Sequence, residues 1–170
     1  LLSVPMALGE HSAARFGRRV DGSDLREQYV DHLVDEQQGV DFKGLKLALD
    51  CANGAASWYA PQVFSRLGAE IVVINASPTG QNINARAGSE HVRREPGDLH
   101  AVLKHFNANF GIVFDGDADR VIFMDESGNL VDGDHMLAIL GNYFKSHKKL
   151  LGNTVVSTCM RNGGLVNYFG

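Results

Sequence analysis

The chain is short of most features that mark a specialised class of protein. Cysteine is scarce, with only Cys51 and Cys159 among 170 residues. Both stand in segments that read as the ends of buried strands. Two such residues make no disulfide framework and fit a reducing cytosol, so a cytoplasmic setting is expected. Neither has a His or Lys beside it to favour a thiolate, which argues against a catalytic cysteine. No apolar run reaches the roughly 18 residues of a membrane span. The first residues, LLSVPMALGEHSAARFGRR, are apolar and then basic, the reverse of a signal peptide. Basic runs are only pairs, such as Arg18-Arg19, Arg93-Arg94 and Lys148-Lys149, and the net charge is -4. A nucleic-acid binder needs a clustered basic face, so neither nucleic acid nor membrane is an expected partner. Low-complexity segments and short repeats are missing too. The chain opens on Leu1 instead of Met and is expected to be a piece of something longer.

What is present is the balance of a soluble globular domain, 44% hydrophobic and 21% charged. Residues 1–20 have no clear periodicity and read as a tail or linker. Ser23 suits an N-cap for a helix over about 24–38, with Leu25, Tyr29 and Leu33, flanked by Val30 and Val34, as a buried stripe and Gly39 as the stop. Strands are expected at LKLALD (45–50) and EIVVIN (70–75). A helix over about 55–67 lies between them, its start drawn toward Pro61. Strand, helix and strand with short connections make a parallel unit. Residues 76–96, rich in Gly, Asn and Pro, read as a long loop of the functional kind. A helix over 98–106, strands at 110–115 and 120–125, a turn at Ser127-Gly128-Asn129, a return at Leu130-Val131 and a helix over 134–145 follow. TVVSTC (154–159) reads as a further strand, and a last helix starts near Gly163. The expected fold class is α/β, a three-layer α/β/α arrangement on a mixed sheet. The expected division is a tail over 1–20, one domain over 21–150, and the start of another over 151–170.

The chemistry concentrates at Asp115-Gly116-Asp117-Ala118-Asp119-Arg120. Three carboxylates alternate with small residues directly after a buried strand. They repel each other unless a cation or protons neutralise them. A hard divalent ion with oxygen ligands, Mg²⁺ or Ca²⁺, is the natural partner. Gly116 and Ala118 leave the backbone free to curl. Arg120 adds a planar cationic fork suited to phosphate. A solvated acidic turn is the plain alternative, but ligand sites of open α/β sheets lie at this edge. Two rival motifs share the residues. Asp115, Asp117, Asp119 and Glu126 have EF-hand spacing, but Arg120 stands where that loop needs Gly, and the flanks read as strands. A haloacid-dehalogenase-type phosphatase would carry Thr or Val where Asp119 stands.

This loop resembles that of the α-D-phosphohexomutase superfamily, Asp-Gly-Asp-Gly/Ala-Asp-Arg. The resemblance extends through Leu49-Asp50-Cys51-Ala52-Asn53-Gly54-Ala55-Ala56, Leu67-Gly68-Ala69-Glu70, Gly80-Gln81-Asn82-Ile83-Asn84 and Asp132-Gly133-Asp134, in order. Among its branches the run is most similar to the bacterial phosphoglucosamine mutases. The resemblance implies the second domain of a four-domain enzyme and the start of its third. It implies Mg²⁺ held by Asp115, Asp117 and Asp119 together with a phosphoserine from another domain, and Arg120 touching phosphate. The implied substrate is a hexose phosphate, whose phosphoryl group moves between C1 and C6 through a bisphosphate. The sequence departs from the family by having no Thr-Ala-Ser-His-Asn-Pro type serine loop, so no catalytic nucleophile is expected in this chain. Met160-Arg161-Asn162-Gly163-Gly164 and Ala87-Gly88-Ser89 also depart from the glucosamine branch.

Lesser signals have plainer readings. Asn53-Gly54 before a helix suits a turn better than an anion site. His91, His100, His105, His135 and His147 share no ligand spacing. Ser57, Ser89 and Ser157 have no accompanying base. Trp58 reads as core.

Overall fold

Alternate residues of a strand face opposite sides of a sheet, so a strand buried on both sides reads as one apolar run. The first strand, β1 (Lys46–Asp50), does so. A computed structural model describes residues 20–170 of the chain. In it Leu47 and Leu49 of β1 face one layer and Ala48 the other, all fully buried. Parallel neighbours flank β1 on both sides: β2 (Glu70–Ile74) with Leu49 opposite Val73, and β3 (Phe110–Phe114) with Leu49 opposite Ile112. β4 (Val121–Asp125) returns antiparallel to β3, and the short β5 (Leu130–Val131) antiparallel to β4. The sheet order is β2-β1-β3-β4-β5.

Helices cover both faces. α1 (Ser23–Asp35) precedes the sheet, and α2 (Ala56–Arg66) follows β1. Ala56, Ala60 and Phe64, one helical turn apart, bring α2 onto Leu47, Leu49, Cys51 and Ile112. On the other face lie α3 (Ser89–Arg94) and α4 (Gly97–Phe106). Val92, Leu99 and Leu103 pack there against Ala48, Val113, Ile122 and Met124. The chain is thus a three-layer α/β/α fold on a mixed sheet. α5 (Gly133–Ser146) follows β5, and α6 (Gly163–Phe169) packs on it, with the Phe169 ring lying over Gly141.

Several sequence expectations give way. The segment TVVSTC is not a strand: residues 154–158 are irregular, follow a 3-10 turn at Leu151–Asn153, and leave Val156 84% exposed. Its composition favours a strand, but among the described residues no strand lies beside it to share a ladder. Only Val30 of the α1 stripe is buried, while Leu25 and Tyr29 stay exposed. α1 lies on α2, tied by Arg66 to Glu27 and Asp31 and by an edge-to-face contact of Tyr29 with Tyr59. Ser23 is the first helical residue instead of the cap, its amide donating to Asp21. α2 runs through Pro61 from a start five residues earlier, at the cost of one backbone donor. Residues 89–94, expected in the long loop, form α3. Cys159 is exposed and Trp58 half-buried; only Cys51 is enclosed, and burial pushes its thiol up to about 12, which leaves it inert.

Asp132 caps α5. Its carboxylate accepts the amides of Asp134 at 3.1 Å and His135 at 3.3 Å, and the His135 ring sits 2.8 Å away. Burial pushes the Asp132 carboxyl up, but the bonds from the His135 side chain and amide outweigh it, and the group titrates below its ordinary value. Asp132→Ala should destabilise the fold by about 1 kcal/mol in urea unfolding at neutral pH. Because the folded carboxyl titrates low, this contribution is complete above about pH 3.9 and disappears as pH falls through the folded value. An unchanged urea midpoint at pH 7 would show that the cap carries no stability.

Candidate metal centre

β1 and β3 are parallel neighbours whose onward connections leave in opposite directions, β1 through α2 toward β2 and β3 toward β4. The crevice beyond their carboxyl ends is the switch point where open α/β sheets bind ligands. The loop after β1 and the loop after β3 meet there, backbone to backbone. The Ala55 amide donates to the Gly116 carbonyl at 2.8 Å. A Cβ at Gly54 would lie 2.1 Å from that carbonyl oxygen, so no other residue fits. Gly116 is hemmed in on its other side by Asn84 and Ile83, whose atoms would lie 2.7 Å from a Cβ there. Asn53-Gly54 is thus a packed turn, with Ala52 and Asn53 both at positive φ and Asn53 Oδ1 taking the Ser77 amide.

This frame carries the acidic loop. Asp115, Asp117 and Asp119 each offer a carboxylate oxygen, all within 4.8 Å of one another. No other group of three His, Cys, Asp or Glu side chains is so gathered among the described residues. Asp115 is buried at 3% exposure, whereas Asp117 and Asp119 face solvent. Ala118 takes a left-handed φ of 60° between them, and its amide closes the turn onto the Asp115 carbonyl. Arg120 returns its backbone amide to Asp115 Oδ1 at 3.1 Å and its Nε to Asp115 Oδ2 at 2.7 Å. Its Nη1 reaches Glu90 Oε1 at 3.5 Å.

The charges settle unequally. Burial pushes the Asp115 carboxyl up, but the side chain and amide of Arg120 overcome this and hold it below the usual range. Asp119 moves the other way, raised first by its hydrogen bond to Asp115 and then by the charge of Asp117. Asp119 is therefore the first of the pair to take a proton. The donor set is three hard oxygens. An octahedral Mg²⁺ at about 2.1 Å needs neighbouring ligands about 3 Å apart, and the three carboxylate oxygens here lie within 4.8 Å of one another. The residues fit such an ion. The EF-hand alternative does not survive, because strands β3 and β4, not helices, flank the loop.

Comparison with known proteins bears on the same residues. The family described as phosphoglucomutase/phosphomannomutase, alpha/beta/alpha domain II, matches residues 27–128, more than half of the chain. The chain belongs to this family. Phosphoglucosamine mutase of Caldicellulosiruptor bescii is 48% identical over 147 residues, covering 86% of the chain and 32% of the relative. Phosphoglucosamine mutase of Desulforudis audaxviator is 45% identical over 165 residues, covering 97% of the chain and 36% of the relative. The chain thus spans about a third of the length of these relatives. A phosphoglucomutase/phosphomannomutase family protein of Burkholderia thailandensis, solved by crystallography, superposes with a TM-score of 0.62 at 28% identity, over 73% of the chain and 26% of that protein.

Sequence alone assigns no role to two residues at this centre, Asp50 and Glu90. Asp50 is a buried carboxylate at the end of an apolar strand, which was a signal; Glu90 gave none. The Gly54–Gly116 contact makes a sharp forecast. Gly54→Ala should lower stability by more than about 2 kcal/mol, since the added methyl meets backbone that cannot rotate away. Thermal unfolding of the variant tests this, and a midpoint within a degree of wild type would refute it.

Proposed function

We propose that this chain is the metal-binding part of a sugar-phosphate mutase, which moves a phosphoryl group between the C1 and C6 oxygens of a hexose phosphate. The hexose proposed is glucosamine phosphate, after the names of the relatives at 45–48% identity. Glucose and mannose phosphates are the second reading, after the name of the matched domain. The observation that carries the proposal is the set of three carboxylates gathered beside Arg120 at the switch point. In this reading residues 21–150 are the metal-binding domain, 1–20 the tail of a preceding domain, and 151–170 the start of another. A cytoplasmic location goes with it. No helix among the described residues is long and apolar enough to cross a membrane.

Asp115, Asp117 and Asp119 would hold Mg²⁺, which supplies neutralising charge to a transferring phosphoryl group when bound. The chain's own part is to place that charge and one cation. Asp115 fixes Arg120 from below, so the outward N–H groups of the guanidinium meet a phosphate oxygen already oriented. The nucleophile is expected outside these residues. The Ser57 hydroxyl is shut in without a partner among the described residues, and Ser89 is buried. In the transfer a sugar hydroxyl bonds to phosphorus as the phosphoserine P–O bond breaks, and its proton ends on the released serine oxygen. After the bisphosphate turns, that serine oxygen bonds to the other phosphorus as the sugar O–P bond there breaks, and the proton ends on the freed sugar oxygen.

Two measurements test this. The chain alone should bind Mg²⁺ weakly, with Kd on the order of millimolar. Asp117→Asn should weaken it roughly tenfold, and affinity should fall as pH drops into the raised range of Asp119, because a protonated carboxyl is no ligand. Calorimetric titration reads both, and binding indifferent to Asp117→Asn would remove the metal assignment. The chain alone should not convert glucosamine 6-phosphate, glucose 1-phosphate or mannose 1-phosphate even with bisphosphate primer. In a full-length enzyme carrying these residues, Asp117→Ala should lower kcat by roughly a hundredfold or more. Turnover by the chain alone would mean that it contains its own nucleophile.

A further inference from the structure

Outside the aspartate loop, Glu90 is the acidic residue that reaches Arg120 among the described residues. Its Oε1 lies 3.5 Å from Nη1, while Asp115 Oδ2 takes Nε at 2.7 Å. Two carboxylates thus grip two edges of one guanidinium. They come from separate elements, the loop after β3 and the helix α3. A helix of six residues does not hold itself together in isolation. What fixes α3 lies beneath it. Val92 is packed in the core, and Ser89 is buried at 3% exposure. Just before α3, the Gly88 amide donates to Asp50 Oδ2 at 3.2 Å, and Asp50 Oδ1 takes the Ala52 amide at 2.9 Å. Asp50 is 1% exposed and has no cationic partner among the described residues. Its carboxylate accepts these two amides, one from the turn after β1 and one from the segment just before α3.

We propose that Glu90 is a positioning residue for Arg120, held in place through Gly88 by the buried Asp50, and that it aims the free N–H groups of the guanidinium at the substrate phosphate. The proposal rests on the reading that Arg120 meets phosphate. Glu90 touches neither the aspartate cluster nor a reacting atom, so its effect passes through Arg120. An exposed Arg head samples many rotamers, and ordering it at binding weakens the complex. With Nε on Asp115 and Nη1 on Glu90, Nη2 is the group left without a protein partner among the described residues. Glu90 also pairs with Arg94 one turn along α3, at 3.8 Å, which keeps its carboxylate on this side of the helix. An exposed ion pair of this kind adds little to stability, so its consequence lies in orientation.

The test reads the Arg120 side chain by NMR in the labelled 170-residue chain, without metal. Rotation about the Nε–Cζ bond should speed up roughly threefold in Glu90→Gln, the size an exposed pair carries, with an unchanged unfolding temperature. Glu90→Asp keeps the charge but loses the reach and should behave like Glu90→Gln. Asp50→Asn should loosen Arg120 as well, with a lower unfolding temperature. With Mg²⁺ saturating, inorganic phosphate should shift the Arg120 signals and bind roughly threefold more weakly to Glu90→Gln. Unchanged rotation in Glu90→Gln would overturn the proposal. So would full rescue by Glu90→Asp, or a loss of Mg²⁺ affinity with Arg120 unaffected, since Glu90 would then act only as a distant charge. If phosphate leaves Arg120 of the wild type untouched, the functional reading fails instead. The two failures are separable because rotation is read without metal or phosphate.

Discussion

The backbone contact between the turn after β1 and the turn after β3 is the constraint on which the centre depends. Adjacent parallel strands end side by side, so the chain leaving each must clear the other. Here the Ala55 amide and the Gly116 carbonyl meet at 2.8 Å, with Gly54 flush against the same carbonyl. That contact fixes the starting direction of the acidic loop. It also fixes Asp115, the one ligand candidate that is buried. Asp117 and Asp119 lie exposed at the surface. The loop therefore sets one buried donor beside two exposed ones, an arrangement suited to an ion that arrives with its own waters.

The sheet was legible in the sequence wherever burial on both faces writes a continuous apolar run. LKLALD and FGIVFD are such runs, EIVVIN and RVIFMD are apolar runs left partly open, and each becomes a strand within a residue of its expected bounds. The acidic loop was legible because its chemistry is local, six consecutive residues with three charges of one sign. What was not legible depends on partners far along the chain. Asp50 is explained by the Gly88 amide, 38 residues on, and Glu90 by Arg120, 30 residues on. Residues 154–158 have strand composition but no neighbouring strand among the described residues, and composition cannot supply one. The α1 stripe has the right period, yet period alone does not name what covers it; Leu25 and Tyr29 are left open.

Backbone strain gathers around the same crevice. Ala52, Asn53, Asn84, Arg86 and Ala118 all adopt positive φ without being glycine. Such residues each cost of order 1 kcal/mol and persist only where the surroundings over-determine them. Here the surroundings are identifiable. Asp50 binds the amide of Ala52, the Ala52 carbonyl takes the Asn84 amide, and the Asp115 carbonyl takes the amide of Ala118. Of these bonds the one from the Asn84 amide to the Ala52 carbonyl crosses between loops and ties the segment after β2 to the turn after β1.

The choice of arginine at position 120 follows from the same geometry. Its backbone amide and its Nε both donate to Asp115, one to each carboxylate oxygen. Main chain and side chain of one residue thus close a ring on one buried acceptor, and the head cannot swing away without breaking the 2.7 Å bond. A lysine has no donor partway along its stem. It could answer the charge of Asp115 only with its terminal ammonium, which would then be drawn inward and lost to any ligand at the mouth of the loop. Arginine neutralises the buried carboxylate with one N–H and keeps others facing out. The buried aspartate and the outward cation are therefore one structural unit, and neither would serve the centre alone.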